Sequence, residues 1–164
     1  MVIKNDLISG LMSLLNDEDK AISQKIINCL VELGYMPQRQ KVRGYVLNFR
    51  NRETRQVVAK IGVHYGKNRA FFSLKFFACN NPPTIYKVAI KNAIANENER
   101  YACVDCGVCK IPEIGRGYYY TYPNGRMFKR CSTYVIEITN LHLEDVGSFN
   151  RLLKEQHQYF LSLL

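Results

Sequence analysis

The chain has no tryptophan, only three histidines, and fourteen acidic residues against twenty-three lysines and arginines. Three histidines are too few to build much catalysis, and no G-x-S-x-G, H-E-x-x-H or dinucleotide-binding glycine fingerprint is present. No apolar run approaches the roughly twenty residues of a transmembrane helix. The N-terminal stretch from Leu7 to Leu15 is interrupted by Ser9, Gly10 and Ser13. It follows Lys4, Asn5 and Asp6 without a small-residue cleavage site, so it reads as a helix face and not as a secretory signal. A cytoplasmic location is the resulting expectation, where thiols stay reduced. Internal repeats, low-complexity segments and linkers are also missing, so residues 1–164 read as a single domain.

What is present belongs to a folded protein. The apolar fraction of 47% and the charged fraction of 23% argue against disorder. Eleven Tyr and eight Phe point to a core built substantially on sheets. The net charge is +9 and unevenly spread: from Met36 to Lys91 there are twelve Lys and Arg against one acid, Glu53. Such a field attracts polyanions, nucleic acid among them, although a basic surface that merely keeps a protein soluble has the same composition.

Apolar periodicity predicts an α+β fold. Leu7, Ile8, Leu11, Leu14 and Leu15 mark a first helix. Ile22, Ile26, Ile27, Leu30 and Leu33 mark a second, with N-cap candidates in Asn16–Asp19 and a stop at Gly34. Alternation then predicts three strands. Tyr45, Leu47 and Phe49 face inward on the first, and Val57, Ala59, Ile61, Val63 and Tyr65 on the second. The third runs from Ala70 to Cys79. Short turns between them predict an antiparallel meander. Pro82 and Pro83 open a third helix running to about Asn96. After a Cys-rich loop, a hairpin turns at Pro123–Gly125, and a long terminal helix begins near Leu143.

The cysteines carry the sharpest signal. Cys103, Cys106 and Cys109 form C-x2-C-x2-C, and Cys131 lies on the far strand of the second hairpin. The turn at Asn124 and Gly125 pairs residues whose numbers sum to 248 or 249, which places Cys131 opposite Gly117 or Tyr118 where the Cys-rich loop enters. Four thiolates brought together suit one tetrahedral zinc ion that supports the hairpin and need not catalyse anything. The run also resembles the first three ligands of a ferredoxin-type iron–sulfur segment, although Ser132 stands where that pattern has proline after the remote ligand. A thiol redox pair activated by Lys110 or Arg100, or no ligand at all, completes the alternatives. Cys29, inside the second helix, reads as a small core residue.

A second candidate site is the outward face of the meander. Arg50, Lys60, His64, Phe71, Lys75 and Phe77 interleave cations with aromatic rings, the composition with which sheets hold single-stranded nucleic acid. The competing reading is that helices cover this face and its phenylalanines are core. Gly62–Asn68 looks like a phosphate-binding loop only superficially. Its glycines are one residue too close, Asn68 replaces the magnesium-binding hydroxyl, and it joins two strands.

The order of helices, meander, helix, hairpin and terminal helix resembles small bacterial α+β domains of the YdhG and MmcQ/YjbR kind over most of the chain. That resemblance implies the arrangement of elements and carries no site residue with it. The expectation is therefore a binding protein more than an enzyme. It pairs a structural zinc site, or alternatively an iron–sulfur or redox site on the same cysteines, with a basic sheet for an anionic ligand.

Overall fold

A computed structural model describes residues 2–96, 101–104 and 117–164. Helix α1 (Val2–Met12) is followed by α2 (Asp17–Glu32). Asn16 caps α2 by accepting a hydrogen bond from the Asp19 amide at 2.8 Å, and Asp17, Glu18 and Asp19 complement the positive end of the helix dipole. Gly34, at φ +79°, reverses the chain after it.

Four strands follow where three were expected: β1 (Tyr35–Arg39), β2 (Tyr45–Asn51), β3 (Val57–Val63) and β4 (Ala70–Leu74). Pro37 argues against a strand at β1, but β1 lies at the sheet edge, where a missing amide donor is tolerated. Helix α3 (Thr84–Asn96) comes next. The hairpin β5 (Tyr118–Thr121) and β6 (Met127–Arg130), short strand β7 (Ile136–Glu137), a 3-10 turn (Leu143–Asp145) and α4 (Val146–Leu161) complete the chain. The second arm of the expected hairpin is thus two strands. β6 pairs with β5, and after a turn β7 joins the main sheet beside β4, giving the antiparallel order β1-β2-β3-β4-β7.

The inner sheet face carries the row Leu47–Ile61–Phe72 and its neighbours Phe49, Ala59 and Leu74, all buried with Ile22, Ile26, Leu30, Phe149, Leu152 and Leu153 of α2 and α4. Two residues expected inward differ: Tyr65, past the end of β3, is exposed, and Val57 gives way to Val58. A bulge at Phe49/Arg50 shifts the register, so Val58, not Val57, enters the core. The third strand stops at Leu74, five residues early, and Phe76 and Phe77 turn into the aromatic core around Tyr118. Among the described residues no helix is long and apolar enough to cross a membrane.

Candidate functional site

The outer sheet face is ordered in rows. Val46, Gly62 and Phe71 stand side by side across β2, β3 and β4. Gly62 makes that row possible: a Cβ there would lie 2.4 Å from the Tyr45 carbonyl and 3.1 Å from the Phe71 ring. The next row is polar, running Asn48–Lys60–Ser73–Glu137 across four strands. Beyond it lie Val57, opposite Arg50, and Lys75, whose amide bonds the Val58 carbonyl at 2.7 Å. The sheet face thus passes from apolar to polar to basic along the strand direction.

This face floors a cleft. Ala89, Asn92 and Ala93 of α3 form one wall; Tyr101, Arg130 and Val135 form the other. The cavity over the apolar and polar rows is about 630 Å³. It adjoins one of about 370 Å³ around Asn48, Val57, Lys75, Thr133 and Tyr134, with Lys60, Tyr101, Arg130 and Val135 lining both. Both fall in the size range of small-molecule sites. Arg43, Lys60, Lys75 and Arg130 converge on this space, and the sole carboxylate among its described lining residues is Glu137, 3.6 Å from His64 Nε2.

Lys75 is the unusual member. It is 6% exposed, its Nζ reaches Gln56 Oε1 at 3.5 Å, and the Phe160 ring centroid is 5.9 Å away. Burial pulls its pKa down to about 8, with neighbouring Lys60 adding to the effect and the Cys131 thiol opposing it. Lys60 makes no ion pair or hydrogen bond among the described residues, and the buried Asn48 Oδ1 has no partner there. Arg130 lies over the Tyr101 ring at 4.8 Å, and Tyr101 packs on Tyr134 with centroids 4.5 Å apart.

Of the residues expected on this face, Lys60, His64, Phe71 and Lys75 do meet in the cleft, with the His64 ring stacked on Phe71 at 4.1 Å. Arg50 does not: although paired with Val57, it is exposed toward the β1 edge, borders a separate cavity with Arg52 and Arg55, and donates to the Arg55 carbonyl at 3.1 Å. Phe77 does not either, being in the core edge-on to Tyr118 and Tyr159, where no base can stack on it. Alternation beyond Leu74 had placed it outward, but the strand has ended by then. Arg43, Tyr101, Arg130 and Tyr134 were missed. They reach the cleft from a loop and from segments distant in the chain, a juxtaposition that local periodicity does not encode.

The four candidate metal ligands divide. Cys106 and Cys109 lie outside the described residues, as do Arg100 and Lys110. Cys103 and Cys131 are described and half-buried. The hairpin register pairs Tyr118 with Arg130, a sum of 248, as the turn requires. The opposite edge of β6 carries residues 101–103. Ala102 bridges Arg130, the Cys103 amide donates to the Lys129 carbonyl at 2.8 Å, and the Cys131 amide to the Tyr101 carbonyl at 2.7 Å. Cys103 and Cys131 therefore share one face as a diagonal pair, a relation that sets Cα atoms roughly 7–8 Å apart. Among the described residues no three of His, Cys, Asp and Glu gather as a metal site needs. The remaining cysteines are elsewhere: Cys29 in the core, and Cys79 donating to the Leu152 carbonyl at 3.1 Å, its pKa pushed up to about 12 by burial.

No family model, curated protein or solved structure matches the chain.

Proposed function

We propose that this is a binding protein for an anionic ligand, seated in the cleft between the outer sheet face, α3 and the Tyr101–Arg130 wall. One observation carries the reading: Arg43, Lys60 and Lys75 converge on a cleft whose one carboxylate among the described lining residues, Glu137, stands beside His64. Lys60 and buried Lys75 repel one another, so holding both charged costs stability that an anion between them would offset. The half-exposed Tyr134 ring and the outer face of His64 suit a ligand with flat surfaces, as single-stranded nucleic acid has. A cysteine-thiolate zinc ion on Cys103, Cys131, Cys106 and Cys109 would clamp the wall that carries Tyr101 and Arg130. The experiment is titration of the purified protein with a labelled single-stranded oligonucleotide and with pyrophosphate across a salt series. Binding that weakens with salt and is lost in Lys60→Glu supports the reading; no binding, or binding indifferent to that substitution, overturns it.

A further inference from the structure

The cleft is not uniformly basic, and its polarity has a direction. At one end the floor is Val46 and Phe71, roofed by Ala89 and Ala93, whose methyl groups leave a gap between helix and sheet. Two amides, Gln40 and Asn92, border that gap, and neither side chain makes a hydrogen bond among the described residues. At the other end are Lys60 and Lys75, with the buried, unpartnered Asn48 Oδ1 between the strands. A flat apolar slot edged by amides lies next to a cation cluster. The two together demand a ligand with one planar end that has hydrogen-bonding edges and one end of concentrated negative charge.

From this geometry, and resting on the anion reading above, we infer that the cleft holds a nucleoside phosphate, its base over Val46 and Phe71 beneath Ala89 and Ala93, its phosphate between Lys60 and Lys75. A base lies against Val46 and the His64–Phe71 stack, whose histidine ring faces the cavity, and the amides of Gln40 and Asn92 meet donors and acceptors on its edge. The phosphate receives charge-assisted hydrogen bonds from the two lysines. The same unit exists as a free nucleotide and as one residue of a single strand.

Calorimetric titration at low salt with AMP, adenosine, inorganic phosphate and a single-stranded hexamer tests the assignment. AMP is expected to bind at least tenfold tighter than phosphate, and Lys60→Glu to abolish both. Ala93→Leu fills the base slot and is expected to reduce AMP affinity to that of phosphate while phosphate binding stays unchanged. Gln40→Ala, at a half-exposed position, is expected to cost several-fold for AMP alone and serves if the leucine variant fails to fold. AMP and phosphate of equal affinity, both lost in Lys60→Glu, would overturn the nucleotide assignment and leave the anion reading standing. No binding of AMP, phosphate or the hexamer overturns both. A hexamer more than tenfold tighter than AMP assigns the unit to nucleic acid, and equal affinities assign it to the free nucleotide; either supports the base slot if Ala93→Leu weakens them.

Discussion

Cys131 stands diagonally across from Cys103 on adjoining strands, one residue to either side of the Ala102–Arg130 bridge. The two cysteines are twenty-eight positions apart in the chain, and their shared face is the structural ground for a thiolate site on the cleft wall. One zinc per chain is the expected result of elemental analysis on freshly purified protein. Cys103→Ser and Cys131→Ser should each lower zinc content and thermal stability, whereas Cys29→Ser, inside α2, should leave the metal in place. Metal-free protein whose Cys103 and Cys131 thiols react freely sinks the site; a brown preparation containing iron reassigns it to a cluster.

Lys60 occupies the middle of the polar row, flanked in register by Asn48 and Ser73. A cation there that contacts a phosphate releases about one counterion on binding. Lys60→Ala should therefore flatten the slope of log affinity against log salt by about 1, alongside a loss of affinity. Arg50→Ala, beside a separate cavity toward the β1 edge, should change neither. An unchanged slope in Lys60→Ala removes this lysine from the site.

Local sequence patterns suffice for the α+β layering, for a cap of α2 within Asn16–Asp19 and for the hairpin register, because helices, caps and two-strand turns are specified by residues close in sequence. They fail where tertiary context decides. Pro37 hides an edge strand, the bulge at Phe49/Arg50 exchanges Val57 for Val58, and Phe77 leaves the sheet for the aromatic core. The cleft was half legible. Lys60, His64, Phe71 and Lys75 come from the meander and follow its alternation, but their partners Tyr101 and Arg130 arrive by pairing between distant segments.

Lys75 is buried at a cost. Desolvation brings its pKa from 10.5 to about 8: the ammonium stays mostly charged at neutral pH, but folding destabilises that charge by roughly 3 kcal/mol. Lys75→Met keeps the length of the side chain and removes the charge. The variant should unfold at higher urea concentration than the parent, by about 1–3 kcal/mol, yet bind the anion more weakly. A destabilised variant, or one that binds as before, contradicts the view that this lysine is held for a ligand.

Asp19, 1% exposed, joins α2 to the β3–β4 hairpin: its Oδ2 accepts from the Ala70 amide at 2.9 Å and from Asn16 Nδ2 at 2.9 Å, with Arg69 Nε 3.4 Å away. Asp19→Ala leaves the Ala70 amide without its acceptor and should cost about 2–3 kcal/mol in urea unfolding. Arg69→Ala deletes only the solvent-exposed partner of the same carboxylate and should cost under about 1 kcal/mol. Equal losses would mean the ion pair, not the amide contact, holds the hairpin to the helix.

His157 on α4 lies 7% exposed with Nδ1 3.2 Å from the Tyr35 hydroxyl. Burial lowers the histidine pKa, with Glu53 opposing it, and burial also raises that of Tyr35. Tyr35 therefore keeps its proton and shares a hydrogen bond with a neutral imidazole. In the unfolded chain the histidine titrates near its usual value of about 6.5. Below that pH the unfolded state takes up a proton that the folded state resists, so stability rises with pH across the window beneath about 6.5 and levels off above it. Urea midpoints should accordingly fall between pH 7.5 and 5.5, by at most about 1.4 kcal/mol per pH unit from this one group. His157→Gln can still bond the tyrosine and cannot charge, so its midpoint should fall less over the same range. Parallel curves for the two proteins would show that some other group drives the acid sensitivity.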